Sequence, residues 1–128
     1  MEENKIKVVL LEPGRPARIE CIGSDLESMQ KIVGGLIEPI WPFEDPVALV
    51  CNEEGKLLHL DMNRALCDEQ GNIWDIIFGT AFLCGESESS FASLSDEFAE
   101  KYLKKFRNPE RFMFGPTGII VVKEENNE

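Results

Sequence analysis

The stretch CNEEGKLLHLDMNRALCDEQGN, residues 51–72, decides how this chain folds, because it is a polar run set between two apolar ones and contains the only histidine. Residues 47–51 before it are apolar, and residues 73–84 after it form the longest apolar stretch, broken only at Asp75, Gly79 and Thr80. Asn52-Glu53-Glu54-Gly55 has the composition of a type I turn followed by a glycine at positive φ, so residues 47–51 and 56–60 are expected to pair as a hairpin. Glu53 and Glu54 are then turn residues first. Residues 61–66 are expected to make a single helical turn and residues 68–72 a second turn. Residues 73–84 read as one central strand with a bulge at Gly79.

Working outward, residues 5–11 alternate and then become continuously apolar, the pattern of a strand entering a core with two sides. Pro13-Gly14-Arg15-Pro16 is a turn, and residues 17–22 are a second strand. Ser24-Asp25-Leu26-Glu27 has the form of a capping box, with Leu26, Met29, Ile32 and Val33 on one helical face and Gly34-Gly35 as the stop. Residues 36–41 read as an edge strand because Pro39 cannot donate to a ladder. Residues 85–93 read as a loop. Ser95 caps a second helix whose acids, Asp96 and Glu97, open it and whose bases, Lys104, Lys105 and Arg107, close it. Phe98, Tyr102 and Phe106 form its buried stripe. A last hairpin is expected across the turn at residues 115–118. The fold class is therefore α+β, a single domain over residues 1–123 with a largely antiparallel sheet of about six strands, two helices packed on one face and a disordered acidic tail at 124–128.

At 128 residues and 43% hydrophobic content the chain suits one core. Its unbroken apolar runs, such as residues 8–11, 47–51 and 119–122, are at most five residues long, against roughly 20 for a bilayer span. The acidic start, Met-Glu-Glu-Asn-Lys, lacks the pattern of a secretory signal, which together with cysteines spaced 30, 16 and 17 apart leads to the expectation of a cytoplasmic protein with reduced thiols. Cys67, beside Asp68 and Glu69, is the most exposed candidate. No G-x-G-x-x-G, Walker A, H-E-x-x-H or G-x-S-x-G pattern occurs.

The net charge of −11 is unevenly spread. Residues 32–100 hold fourteen acids against Lys56 and Arg64, giving −12, and the remainder nets +1. An acidic body disfavours direct contact with nucleic acid and favours a basic partner, such as a DNA-binding protein. In its sharp form this is mimicry of DNA, twelve charges corresponding to about 20 Å of duplex. The plain alternative is that acids keep the surface hydrated. The acids expected to meet a partner are Glu38, Glu44, Asp45, Glu53, Glu54, Asp68 and Glu69.

His59, Asp61, Asn63, Arg64, Asp68, Glu69 and Asp75 supply the residue types that chemistry needs. A lone histidine between Leu58 and Leu60 on a strand is a solvent-facing residue before it is a ligand, so neither a metal site nor a cofactor is expected. Arg64, nearly alone among acids, is expected to pair with Asp61, Asp68 or Asp75 as a structural brace. The catalytic alternative is a small hydrolase or nucleotide-handling enzyme built on Asn63, Arg64 and Asp75, which requires those side chains to converge at an open concave site.

VGGLIEPIWPFEDPVALVCNEEGKLLHLDMNRAL, continuing into DEQGNIWDIIFGTAFLCG and SLSDEFAEKYLKKF, resembles one of the domain-of-unknown-function families of Gram-positive bacteria, their phages and their integrative or conjugative elements. The resemblance spans about residues 6–106. It carries no activity. It implies a setting in mobile genetic elements, and hence a non-enzymatic accessory protein that binds a protein partner through the acidic surface. The segment after Asn108 matches the pattern less clearly and reads as a lineage-specific addition or a dimerising strand, the latter giving a third expectation, a homodimeric scaffold assembled through the C-terminal strand.

Overall fold

The run Val8-Val9-Leu10-Leu11 in strand β1 (Lys5–Leu11) is buried on both sides of the strand, so both faces of the sheet that contains it must be covered. The computed structural model describes residues 5–88 and 90–123, and within them ten strands and two helices. Strands β2 (Arg18–Gly23), β1, β7 (Ala81–Glu86), β4 (Ala48–Asn52) and β3 (Ile37–Ile40) lie side by side in that order, and β8 (Phe91–Ala92) adds to β7. Every pairing is antiparallel. The α+β class and an antiparallel sheet of six strands are as the sequence leads one to expect.

The helices are not on one face. Val9, Leu11, Leu49 and Leu83 point to Ala99, Tyr102 and Phe106 of helix α2 (Asp96–Lys105 and its C-cap), while Val8, Leu10, Val50 and Phe82 point to Met29 and Val33 of helix α1 (Leu26–Val33). Successive residues of a strand face opposite ways, so a continuously apolar β1, β4 and β7 require a layer on each side. The α2 side is completed by a separate two-stranded sheet, β5 (Met62–Cys67) and β6 (Ile73–Phe78), which contributes Leu66 and Ile77 to the core. Asp25, not Ser24, is the N-cap of α1, accepting from the Ser28 N–H at 3.0 Å, whereas Ser95 caps α2 as expected.

The opening stretch folds differently from its local pattern. β4 spends both edges on β3 and β7, so residues 56–60 have no strand to pair with. They coil instead, with the Leu58 N–H donating to the Glu54 carbonyl at 2.8 Å and the Leu60 N–H to that of Gly55 at 3.0 Å. Gly55 is required there by close approach, since a Cβ would sit 2.7 Å from the Phe78 carbonyl oxygen. Residues 61–66, expected as a helical turn, fall for the most part in β5. The apolar stretch 73–84 is two strands in two different sheets, parted at Gly79, where φ is 86° and the chain changes layer.

A third sheet, β9 (Glu110–Gly115) with β10 (Gly118–Lys123), is the expected terminal hairpin, turning over Pro116-Thr117. The tail at 124–128 lies outside the described residues. Among the described residues, no helix is long and apolar enough to cross a membrane.

Candidate functional site

Asn63 and Arg64 are consecutive strand residues, yet both are fully buried. The ladder between β5 and β6 explains how. Its register advances two residues on β5, from Met62 to Arg64, against one on β6, from Phe78 to Ile77, so Asn63 occupies a bulge that turns it inward beside its neighbour. The Asn63 amide donates to the carbonyls of Leu11 at 2.9 Å and Gly79 at 2.8 Å, and its oxygen accepts from Arg64 Nη1 at 2.8 Å. Arg64 Nε and Nη2 both reach the Phe106 carbonyl at the end of α2, at 3.2 and 2.8 Å, and Nη2 also reaches the Arg15 carbonyl at 2.8 Å. Longer bonds from Nη1 to the carbonyls of Glu12 and Asn63, both 3.4 Å, complete the fork.

Arg64 is thus a brace, but one made on carbonyls instead of the expected Asp61, Asp68 or Asp75. The negative end of the α2 dipole suits the cation there. Burial holds the guanidinium below its usual pKa, and the nearby Glu110 carboxylate opposes that shift. Glu110 itself is buried and accepts the Ala65 N–H at 2.8 Å. Every Arg64 donor is occupied by protein, so the side chain offers nothing to a substrate.

Asp75 does not join this pair. It lies on β6 at the surface, bonded to Lys56 Nζ at 2.5 Å and to the Ile76 N–H at 2.8 Å. The three candidate catalytic residues therefore fall into one sealed interior pair and one exposed ion pair. His59 is exposed in the coil at φ 57°, not on a strand. Among the described residues, no group of three or more His, Cys, Asp or Glu is placed to hold a metal ion.

The acidic residues gather in two depressions with no lining residue in common. The first, about 590 Å³, lies between β3–β4 and β6 and is lined by Glu38, Glu53, Glu54 and Asp75, with Lys56 as its one base and Ile40, Ile76 and Phe78 as its floor and walls. Its acids are positioned by the buried Asn52, which donates from Nδ2 to the Val33 carbonyl at 3.1 Å and accepts the Glu54 N–H at 2.7 Å. That clamp fixes the turn presenting Glu53 and Glu54. Glu38 arrives opposite through the β3–β4 register, where it pairs with Cys51. Burial first, then the charges of Glu38 and Asp75, push the Cys51 thiol up to about 11.

The second depression, about 600 Å³, is lined by Glu44, Asp45, Asp68 and Glu69 but also by Lys101 and Lys105. Asp45 accepts from Lys101 Nζ at 2.6 Å and from the Tyr102 hydroxyl at 2.7 Å, and these bonds hold its carboxyl below the usual carboxylate range. Burial, and then Asp45, raise the Tyr102 hydroxyl above its ordinary value. Asp68 closes its own turn, accepting the N–H groups of Gln70 and Asn72 at 3.0 and 2.8 Å. Sequence reasoning named all eight acids, seven for a partner and Asp75 as a catalytic candidate, but gave no site role to Lys56, Asn52 or the lysines of α2, whose places depend on pairings distant in the chain.

No curated protein and no solved structure matches the chain. A family model described as a domain of unknown function (DUF3846) matches residues 6–107, which takes in both depressions and the Asn63–Arg64 brace. The chain therefore belongs to that family.

Proposed function

We propose that this protein works by binding, as a non-enzymatic accessory protein of a mobile genetic element, and that it holds a basic segment of a protein partner in the cleft between β3–β4 and β6. The observation that carries this reading is the lining of that cleft. Glu38, Glu53, Glu54 and Asp75 face it with one base, Lys56, and that base is already paired with Asp75. Lysine or arginine side chains would meet the carboxylates while their aliphatic stems rest on Ile40, Ile76 and Phe78.

DNA mimicry would need the acids in one ridge. Their division between two depressions, with Lys101 and Lys105 in the second, favours a peptide-holding cleft over a duplex-like surface. The sealed state of Asn63 and Arg64 favours binding over hydrolysis.

The test is fluorescence anisotropy of a labelled Lys/Arg-rich peptide against wild type and Glu38→Gln/Glu53→Gln/Glu54→Gln. Three exposed charge contacts of about 0.5–1 kcal/mol each imply a loss of about 10- to 100-fold in affinity. Binding should also weaken between about 50 and 300 mM salt. Equal affinity of the two proteins, or equal affinity for an acidic peptide, would overturn the reading.

A further inference from the structure

The β9–β10 ribbon has more apolar surface than anything in the chain covers. Met113, Phe114, Ile119, Ile120 and Val122 are 46, 76, 37, 49 and 43% exposed. The register places Phe114 and Ile119 on one face of the ribbon and Met113, Ile120 and Val122 on the other, so both faces are apolar. A two-stranded hairpin in water is marginal by itself. The ribbon also begins at Glu110, beyond the family match that ends at residue 107, so the family domain does not account for it.

Three features fix what covers it. The stretch 112–122, FMFGPTGIIVV, has no charge, so two copies can meet there without opposing like charges despite a net −11 on each chain. Strand β9 is turned toward the body, where Glu110 accepts the Ala65 N–H, while β10 pairs with β9 alone among the described residues. Over residues 118–122 its outer edge bears none of the lysines, prolines or bulges that blunt an unused edge, Lys123 standing only at its end, and its register against β9 runs unbroken over six pairs. Pairing along the β10 edges also sets the apolar faces of the two ribbons side by side across the two-fold axis.

We infer that the occupant is a second copy of this chain. The β10 strands of two copies pair antiparallel across a two-fold axis, giving a four-stranded sheet in the order β9, β10, β10, β9. Such an interface is self-complementary and closes at two subunits, because each β10 edge takes one partner. The acidic clefts, which lie on the family domain, remain available on both subunits.

Sedimentation equilibrium of the full chain over a range of concentrations tests this, with Ile120→Lys/Val122→Lys as the variant. Wild type is expected at twice 14.5 kDa at about 10 μM, and the variant at 14.5 kDa with an unchanged circular dichroism spectrum and association weakened by at least about 100-fold. Wild type that stays monomeric to about 100 μM would overturn the inference and leave the ribbon to another protein. A variant that dimerises as well as wild type would overturn it too. Should the variant lose its fold, hydrogen exchange on wild type decides. Amide protection in residues 119–123 that rises with protein concentration supports the two-fold pairing, and protection independent of concentration refutes it.

Discussion

Replacing Arg64 with alanine should cost more stability than any other single polar change in this molecule. The truncation empties the space between β5, the turn after β1 and the end of α2, and strands three acceptors at once: the carbonyls of Phe106 and Arg15 and the side-chain oxygen of Asn63, each now bonded at 2.8 Å. An orphaned buried acceptor costs about 1–3 kcal/mol, so the gross loss is about 3–9 kcal/mol. Water entering the vacated space offsets part of it. A net loss of about 3–5 kcal/mol is expected, the range for removing one member of a buried ionic network. Set against a total of about 5–15 kcal/mol for a domain, this leaves the variant close to unfolding. Urea denaturation followed by the fluorescence of Trp41 and Trp74 reads it directly. With a slope of about 2 kcal/mol/M, the midpoint should fall by about 2 M. Arg64→Lys should recover less than half of the loss, because a single ammonium cannot reproduce a planar fork bonded on three sides. An alanine variant within about 1 kcal/mol of wild type, or a lysine variant equal to it, would refute the brace.

Two other outcomes follow from the geometry. Gly79→Ala should lower stability by about 1–3 kcal/mol in the same assay, since φ is 86° and the added Cβ would lie 2.7 Å from Leu60 Cδ1; a neutral result would mean that the step between sheets is more relaxed than its geometry implies. Iodoacetamide at mild alkaline pH should add to two thiols in the native protein, the exposed Cys21 and Cys67, and to four after unfolding, because burial pushes Cys51 up to about 11 and Cys84 up to about 12; intact mass measured with time checks this, and a third rapid adduct in the native state contradicts it.

Where a segment's structure depends on its own neighbours, the sequence was legible. The stop of α1 at Gly34, the Ser95 cap and the Phe98-Tyr102-Phe106 stripe of α2, and the turn over Pro116-Thr117 all rest on contacts within a few residues. β5 shows where legibility ends. Met-Asn-Arg-Ala-Leu-Cys has little strand propensity, and the groups that hold it, at Leu11, Arg15, Gly79 and Phe106, are 16 to 52 positions away from Asn63 or Arg64. Likewise the turn at residues 52–55 suggested a local hairpin, and β4 instead took β7, 32 to 36 positions downstream, beside β3, which places it inside a sheet covered on both faces. For the candidate site, Glu53 and Glu54 were recognisable as exposed turn acids. That they share a cleft with Glu38 and Asp75 follows from the β3–β4 register and the fold of β6 over it, neither of which is a local property.

Among the described residues, no buried side-chain nitrogen or oxygen lacks a hydrogen-bond partner. The proposed cleft works through exposed carboxylates, whose individual contacts are worth about 0–1 kcal/mol and are screened by salt. A single cleft of this kind associates quickly and lets go quickly. Two clefts on one dimer behave otherwise, because once the first has captured a basic segment, the second meets its neighbour at an effective concentration in the millimolar range and avidity can exceed either affinity by about 10²- to 10⁴-fold. On the proposed reading, the uncharged ribbon beyond the family domain and the acidic cleft within it solve complementary problems. The cleft would give selectivity for positive charge, and the ribbon, by pairing two copies, would make contacts that are weak one at a time strong enough to hold a partner carrying more than one basic segment.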